Sequence, residues 1–321
     1  MTDRTDLATR RATASSTPTV YAAPPVIAYA RKLGIDLSGV RGSGTRGRIL
    51  PEDLERFVRS ALAASPRVPV AAQQSPTPTP EIDFAKFGPV EKRPLSRIRR
   101  ISGPALTRNW QTIPHVTNFD VADVTDLEAF RRSLNAQVLQ GTAKITTLAF
   151  LIKASAAALK AFPDLNASLS GVDVVLKRYV HIGFAVDTPD GLVVPVIRNC
   201  DAKGVRDLAE EMSELAGRAR AGKLAATEMQ GGCFSISWLG GIGGTGFTPI
   251  INAPEVAILG AARSAIQPVW NGTEFMPRLM LPLCLSWDHR VIDGAMAARF
   301  LAHLSGLLSD LRRVGLWGGQ P

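Results

Sequence analysis

The stretch that most limits what this chain can become is Gln74-Ser75-Pro76-Thr77-Pro78-Thr79-Pro80, the densest part of an Ala/Pro-rich run over 62–84. Such a segment holds too little apolar surface to offset the entropy of ordering it, and its prolines keep it extended. It therefore acts as a linker, and the 321 residues divide around it. A short piece spans 21–61, behind a tail of 1–20 expected to be disordered, and a long piece spans 85–321.

The long piece alternates strand-like runs with helical periodicity, the pattern of an α/β domain. Strands are expected at Ile113–Asp120, Val180–Val186, Val193–Ile197, Cys233–Ser237, Val256–Leu259 and Leu281–Leu285. Helices are expected from Arg97 toward Trp110, over Thr147–Phe162 and over Val205–Ala221. Another is expected to start at Thr125-Asp126-Leu127-Glu128, which reads as a capping box; it sets Leu127, Phe130, Leu134 and Val138 on one face. The last helix, Gly294–Arg313, would bury Met296, Phe300, Leu304, Leu307 and Leu311.

The short piece holds two predicted helices. One runs from Pro25 until Gly34 stops it, with Val26, Tyr29, Ala30 and Leu33 at helical spacing. The other runs from Pro51 to Leu62, with proline and acids in its first turn. Between them lies Arg41-Gly42-Ser43-Gly44-Thr45-Arg46-Gly47-Arg48. It fits Gly-x-Gly-x-x-Gly, but the segment before it is helical and no βαβ unit surrounds it, so a dinucleotide site is excluded. A unit this small is marginal on hydrophobic burial alone.

The chain carries a net charge of +9 and a pI near 9.9. Nucleic acid, anionic membranes, acidic proteins and phosphorylated cofactors all suit that balance, and only position distinguishes among them. Cys200, Cys233 and Cys284 are widely spaced and odd in number. That pattern fits reduced structural thiols in a cytoplasmic protein, and neither a disulfide framework nor a metal site. The apolar runs near 146–162 and 279–285 are interrupted by Lys153 and Lys160 or are too short to span a bilayer. Residues 1–20 lack the apolar core of a secretory signal, and Asp3 and Asp6 oppose a transit peptide.

Chemistry concentrates in Ser286-Trp287-Asp288-His289-Arg290-Val291-Ile292-Asp293-Gly294, where a strand gives way to the last helix. Imidazole moves protons near neutral pH, so His289 is the candidate general base; taken alone it could equally be a hydrogen-bonded structural histidine. His115, His181 and His303 are assigned to structure. A second Gly-x-Gly-x-x-Gly, Gly241-Ile242-Gly243-Gly244-Thr245-Gly246 with Gly240 before it, does follow a strand. Pro249 and Pro254 exclude a helix after it, so it reads as a turn that lets backbone and substrate approach.

The run Asp288–Ala295, with His289-x-x-x-Asp293-Gly294 at its centre, resembles the active-site signature shared by two groups. One is the dihydrolipoamide acyltransferases, the E2 subunits of the 2-oxo acid dehydrogenase complexes. The other is chloramphenicol acetyltransferase. The likeness extends over most of residues 20–321. Gly231–Gly240 and Pro249–Gly260 are similar to the E2 catalytic domain, the latter especially to its bacterial pyruvate-type branch.

The resemblance implies a chloramphenicol-acetyltransferase-like catalytic domain, a mixed sheet flanked by helices, preceded by a small all-α module. It implies acetyl transfer between a dihydrolipoyl arm and coenzyme A, at the core of a pyruvate dehydrogenase complex, without a metal. His289 would be the base, Ser237 would donate to the oxyanion, and Asp293 would pair with Arg97, Arg99 or Arg100. Arg131, Thr146 and Asp187 match coenzyme A contacts. Residues 22–60 resemble the peripheral subunit-binding domain. Arg31, Lys32, Arg41, Arg46 and Arg48 would there meet an acidic face of E1 pyruvate dehydrogenase or E3 dihydrolipoamide dehydrogenase. A homotrimer is implied, with His289 of one subunit facing Ser237 of the next, and possibly a 24-mer core; neither nucleic acid nor membrane is implied as a partner.

Two departures accompany the resemblance. Trp238 stands beside Ser237 where the pyruvate-type enzymes usually have a small residue, which would narrow the acyl pocket. No lipoyl domain precedes the module, and residues 1–20 contain no lysine, so lipoate would come from another chain or a missing N-terminal domain. A non-catalytic docking scaffold, or a succinyl or branched-chain specificity, are the alternative readings.

Overall fold

The computed structural model describes residues 21–64, 82–137 and 142–313, apart from the side chains of 62–64 and 311. The tail, most of the linker, Val138 and the side chain of Leu311 thus lie outside the described residues. The chain divides into two compact units, up to Glu91 and from Lys92.

In the first unit α1 (Pro24–Lys32) and α2 (Pro51–Ala64) are joined by a loop built on one carboxylate. Val26, Ala30, Val40, Ile49 and Leu54 make the core, which is very small for a folded unit. Tyr29 and Leu33, expected on the apolar face of α1, are about half exposed. Asp53, in the first turn of α2, is buried, and its Oδ2 accepts the N–H groups of Ser43 at 2.8 Å and Leu50 at 3.0 Å. These backbone donors, Leu50 foremost, hold its pKa below the ordinary carboxylate value. A Cβ at Gly42 would stand 2.3 Å from the Gly47 carbonyl oxygen, so the loop closes only with glycine there.

In the second unit, α3 (Arg97–Thr112) leads into β1 (His115–Asp123), then α4 (Thr125–Ala136) and α5 (Thr147–Ala161). Short strands follow: β2 (Ala167–Ser170), β3 (Asp173–Leu176), β4 (Ile182–Phe184), β5 (Val186–Thr188), β6 (Gly191–Val193) and β7 (Val196–Ile197). Next come α6 (Val205–Arg220), β8 (Phe234–Trp238), β9 (Ala257–Ala261), β10 (Ala265–Trp270), β11 (Phe275–Asp288) and α7 (Gly294–Ser309).

Seven strands form one sheet in the order β1-β11-β9-β8-β4-β7, with β10 beside the first half of β11. The pairs β4–β8 and β8–β9 are parallel and the others antiparallel, so the sheet is mixed, as the sequence implied. Side chains alternate across it. Phe234, Ile236, Leu281, Leu283, Leu285 and Trp287 point to one face and share a single core with the buried sides of α5, α6 and α7. Ser235, Ser237, Cys284, Ser286 and Asp288 have the opposite parity. Over the last half of β11, from Pro282 to Asp288, this second set is short or polar.

The capping box expected at Thr125 does not form. Asp123, two residues upstream, accepts both the N–H and the hydroxyl of Thr125, and Glu128 turns forward to Arg131 and Arg132. Arginines one turn ahead outcompete a backbone N–H for that carboxylate because the charged pair is the stronger bond. β11 is also far longer than the expected 281–285, and β2, β3 and β10 were not expected at all.

Candidate functional site

His289 sits immediately after β11, where the chain turns into α7. Its backbone N–H donates to the Pro114 carbonyl at 3.1 Å, tying the end of β11 to the start of β1. The imidazole is exposed, with the Trp287 ring 4.8 Å away between centroids, and it has no hydrogen-bond partner among the described residues. Beneath it Asp288 is buried and gripped by Arg290, whose Nη2 lies 2.6 Å from Oδ2 and whose Nε lies 2.9 Å from Oδ1. This pair between residues two apart fixes the turn that presents the imidazole. The sequence marked neither residue, although a buried Asp followed by Arg at i+2 is a local signal.

Asp293 is exposed and is the N-cap of α7; its Oδ1 accepts the Met296 N–H at 2.7 Å. Among the described residues it forms no ion pair with Arg97, Arg99 or Arg100. Within one chain, then, Asp293 orders the helix start, and the expected arginine pairing is not formed.

Ser237 is half-buried on β8, registered with Gly260 of β9, which in turn is registered with Cys284 of β11. His289 therefore lies five residues further along β11 and two strands away. At about 3.3 Å per residue this separates the two by more than roughly 15 Å, far beyond hydrogen-bond reach. One chain does not bring the His289 imidazole and the Ser237 hydroxyl together.

Thr146 and Asp187 do meet. They line a cavity of about 620 Å³ together with Lys144, Arg220, Met212 and Trp238. Arg131 is not among its lining residues: its Nε and Nη2 hold Glu128 at 2.7 and 2.8 Å, and Nη1 donates to the Ile145 carbonyl. That clamp drops the Glu128 pKa to about 2, chiefly through the Arg131 hydrogen bond. The cations that face the cavity are Lys144 and Arg220, which the sequence reading passed over because nothing local distinguishes them from solvated side chains. Trp238, on the α5–α6 side of the sheet with Ile236, lies on the face opposite Ser237. It cannot narrow a pocket on the serine side, contrary to the expectation from its neighbouring position.

The remaining histidines are structural. His115 Nδ1 donates to the Ile113 carbonyl and its Nε2 accepts the Ile251 N–H. His181 Nδ1 accepts the Asn199 N–H, and burial lowers its pKa. His303 stacks against Phe162. Cys200, Cys233 and Cys284 are free and buried, and burial pushes the first two thiols up to about 12 and about 11. The second glycine motif leads into no helix before α7. In the small unit Arg31, Lys32, Arg41, Arg46 and Arg48 are all exposed. Arg46 adopts left-handed geometry (φ 60°), and the Arg48 guanidinium lies 5.5 Å from the centre of the Tyr21 ring. No described helix is long and apolar enough to cross a membrane.

Residues 87–316 match the family described as 2-oxoacid dehydrogenases acyltransferase (catalytic domain), and residues 20–55 match the E3 binding domain. The chain is 56% identical, over 302 residues, to a dihydrolipoyllysine-residue acetyltransferase component of pyruvate dehydrogenase complex from Cupriavidus necator; the match covers 92% of this chain and 55% of that protein. It thus spans about half the length of the curated relatives it matches. Among solved structures, one from a study of a serine, a histidine and an asparagine in the catalytic mechanism of Azotobacter vinelandii dihydrolipoamide acetyltransferase is 55% identical. It has a TM-score of 0.73 and covers 74% of this chain and 99% of that one. The cubic core of the pyruvate dehydrogenase multienzyme complex matches at 56% identity with the same TM-score and coverage.

Proposed function

This chain belongs to the 2-oxoacid dehydrogenase acyltransferase family, and from that premise we propose that it transfers an acetyl group between a dihydrolipoyl thiol and coenzyme A, as the core of a pyruvate dehydrogenase complex. The His289 imidazole takes the proton of the incoming thiol, and the thiolate attacks the thioester carbonyl carbon. The Ser237 hydroxyl donates to the oxygen that becomes negative. As the tetrahedral adduct collapses, the departing sulfur recovers the proton from the imidazolium. Asp293 and the Asp288–Arg290 pair position the histidine's turn, and the cavity holding Thr146, Asp187, Lys144 and Arg220 takes the phosphate-bearing end of coenzyme A.

The observation that carries this reading is the spacing of the three groups combined with their separation. Ser237, His289 and Asp293 stand at the same intervals as the serine, histidine and asparagine studied in the Azotobacter vinelandii enzyme, with a carboxylate for the amide. Yet in one chain the hydroxyl and the imidazole lie at different ends of the sheet. A complete site requires His289 of one subunit and Ser237 of another, which is what a closed trimer supplies. The exposed Trp110 and Phe119 give that assembly apolar surface to bury; eight trimers would form a 24-mer core. The small unit docks E1 or E3 through its exposed arginines, and the lipoyl arm lies on a domain or chain outside this sequence, in the bacterial cytoplasm.

Subunit complementation tests the reading. His289→Ala and Ser237→Ala chains, each inactive alone, are dissociated together and reassembled. Shared sites restore acetyl transfer from acetyl-CoA to free dihydrolipoamide at roughly a quarter of the interfaces, because each site draws on two chains. A mixture as inactive as its parents would show that the two residues do not cooperate across subunits.

A further inference from the structure

Glu255, just ahead of β9, is a buried carboxyl with no ion pair among the described residues. Its Oε1 fills the space a side chain at position 232 would need, since a Cβ on Gly232 would stand 2.9 Å from it. Its Oε2 has no hydrogen-bond partner among the described residues, and neither has the buried Ser235 Oγ beside it. A second glycine makes room for that hydroxyl, because a Cβ on Gly183 would lie 3.1 Å from Ser235 Oγ. Two glycines thus clear space for two polar groups that a packed core would exclude. An ionised carboxylate buried without a donor is far costlier than a neutral acid. Neutral, Glu255 carries an O–H, and the adjacent Ser235 hydroxyl can accept it.

Two titratable groups face this carboxyl. Lys177, at the end of β3, gives its Nζ to the Ala167 carbonyl at 3.2 Å, and its charge only partly offsets the burial that places the Glu255 pKa at about 8. The Cys233 thiol, pushed up to about 11 by burial, stays neutral over the same range. Glu255 also stands between the strands that carry the chemistry. Ser235 and Ser237 share one face of β8, and the Val256 carbonyl accepts the N–H of Asp288, the residue before His289.

We propose that Glu255 is a positioning residue which, as a neutral acid, bonds Ser235 and so holds the stretch of β8 that presents Ser237, and that acetyl transfer fails when this acid ionises. The inference rests on the reading of Ser237 as the oxyanion donor. Ionisation removes the O–H and leaves a negative charge roughly 10 Å from the oxygen that must itself become negative, two residues along the same face. Repulsion at that range costs about tenfold in rate.

The test measures acetyl transfer from acetyl-CoA to free dihydrolipoamide by the full chain, wild type against Glu255→Gln and Glu255→Leu, between about pH 6 and about pH 9.5. Ionisation of the substrate thiols and of His289 is common to all three and cancels in their ratios. The wild-type-to-Gln ratio of kcat is expected to fall about tenfold as pH rises through about 8. Glu255→Leu keeps the bulk but cannot bond Ser235, so at neutral pH it should lower kcat about tenfold with KM for acetyl-CoA unchanged, and Gln should restore most of that loss. A flat ratio overturns the proposal, as does Leu matching Gln at neutral pH or loss of cooperative melting in the Gln variant. Should Leu itself fail to melt cooperatively, Ser235→Ala takes its place and must show the same fall in kcat; full kcat there overturns the proposal too. A wild-type chain inert toward acetyl-CoA would instead sink the acyltransferase reading itself, and this inference with it.

Discussion

On the face of the sheet that meets α5, α6 and α7, β11 presents Leu281, Leu283, Leu285 and Trp287; on the other face the same strand presents Cys284, Ser286 and Asp288. The first face is held chiefly by area and shape, with one cross-strand bond where Trp287 Nε1 donates to Asn118 Oδ1 at 2.9 Å, and its aliphatic side chains are interchangeable in kind so long as volume is kept. The second is held by particular bonds. Thr117 and Ser286 share a hydrogen bond of 2.8 Å, and Asp288 needs Arg290. Satisfaction there is incomplete, since Ser235 Oγ and Glu255 Oε2 are buried without a hydrogen-bond partner. Unpaired polar atoms cost stability, so this face is less fully satisfied than the apolar one.

The contrast breaks most sharply at His289. Replacing it with Ala should lower turnover by roughly two to four decades, the range for a lost general base, while particle size by light scattering stays unchanged because the imidazole is exposed and contributes little packing. Near wild-type turnover would remove chemistry from that end of the sheet. Ser237→Ala should cost roughly a hundredfold in kcat with little change in KM for coenzyme A, as befits a bond made in the transition state. A rise in KM alone would reduce Ser237 to a binding contact.

A smaller effect sharpens the same comparison through Glu255. Burial raises its pKa from 4.5 to about 8, an effect the charge of Lys177 only partly offsets. The folded state thus keeps a proton that the unfolded chain releases, so stability falls as pH climbs from about 4.5 to about 8 and is level beyond. Glu255→Gln cannot ionise. It should gain on the order of a few kcal/mol over wild type at neutral pH and flatten the dependence of denaturation midpoint on pH. Parallel pH profiles for the two proteins would mean that Glu255 is charged in the fold.

Periodicity made the large helices and the central strands legible, because α5, α6, α7, β8 and β9 bury clear apolar patterns. Edges were not legible. Pro268 and Pro277 stand opposite each other in β10 and β11 and read as strand breakers, yet β10 is an edge strand, where a residue without an N–H is tolerated. The β2–β3 hairpin is largely exposed and shows no alternation. The capping box failed because Asp123 lay outside the four-residue pattern. The run around His289 was legible as a motif, but its distance from Ser237 was not, since register alone reveals that Ser237 sits level with Cys284 rather than with Asp288. The same register turns Trp238 away from Ser237, although the two are neighbours in sequence.

The pairing of β1 with β11 also has a kinetic meaning. Thr117 and Ser286 bond across 169 residues, and β11 alone bridges β1, β10 and β9. During synthesis β1 emerges early but has no neighbour until β11 follows, and contacts this distant in sequence form slowly. Until then β1 is a bare edge carrying Val116, Phe119 and Val121, all exposed even in the finished chain, and open to strands of other nascent copies. The sheet closes in a late step, at which His289, bonded by its own N–H to Pro114, is set in place. Placement of the His289 turn and protection from aggregation are therefore one event in the life of the chain.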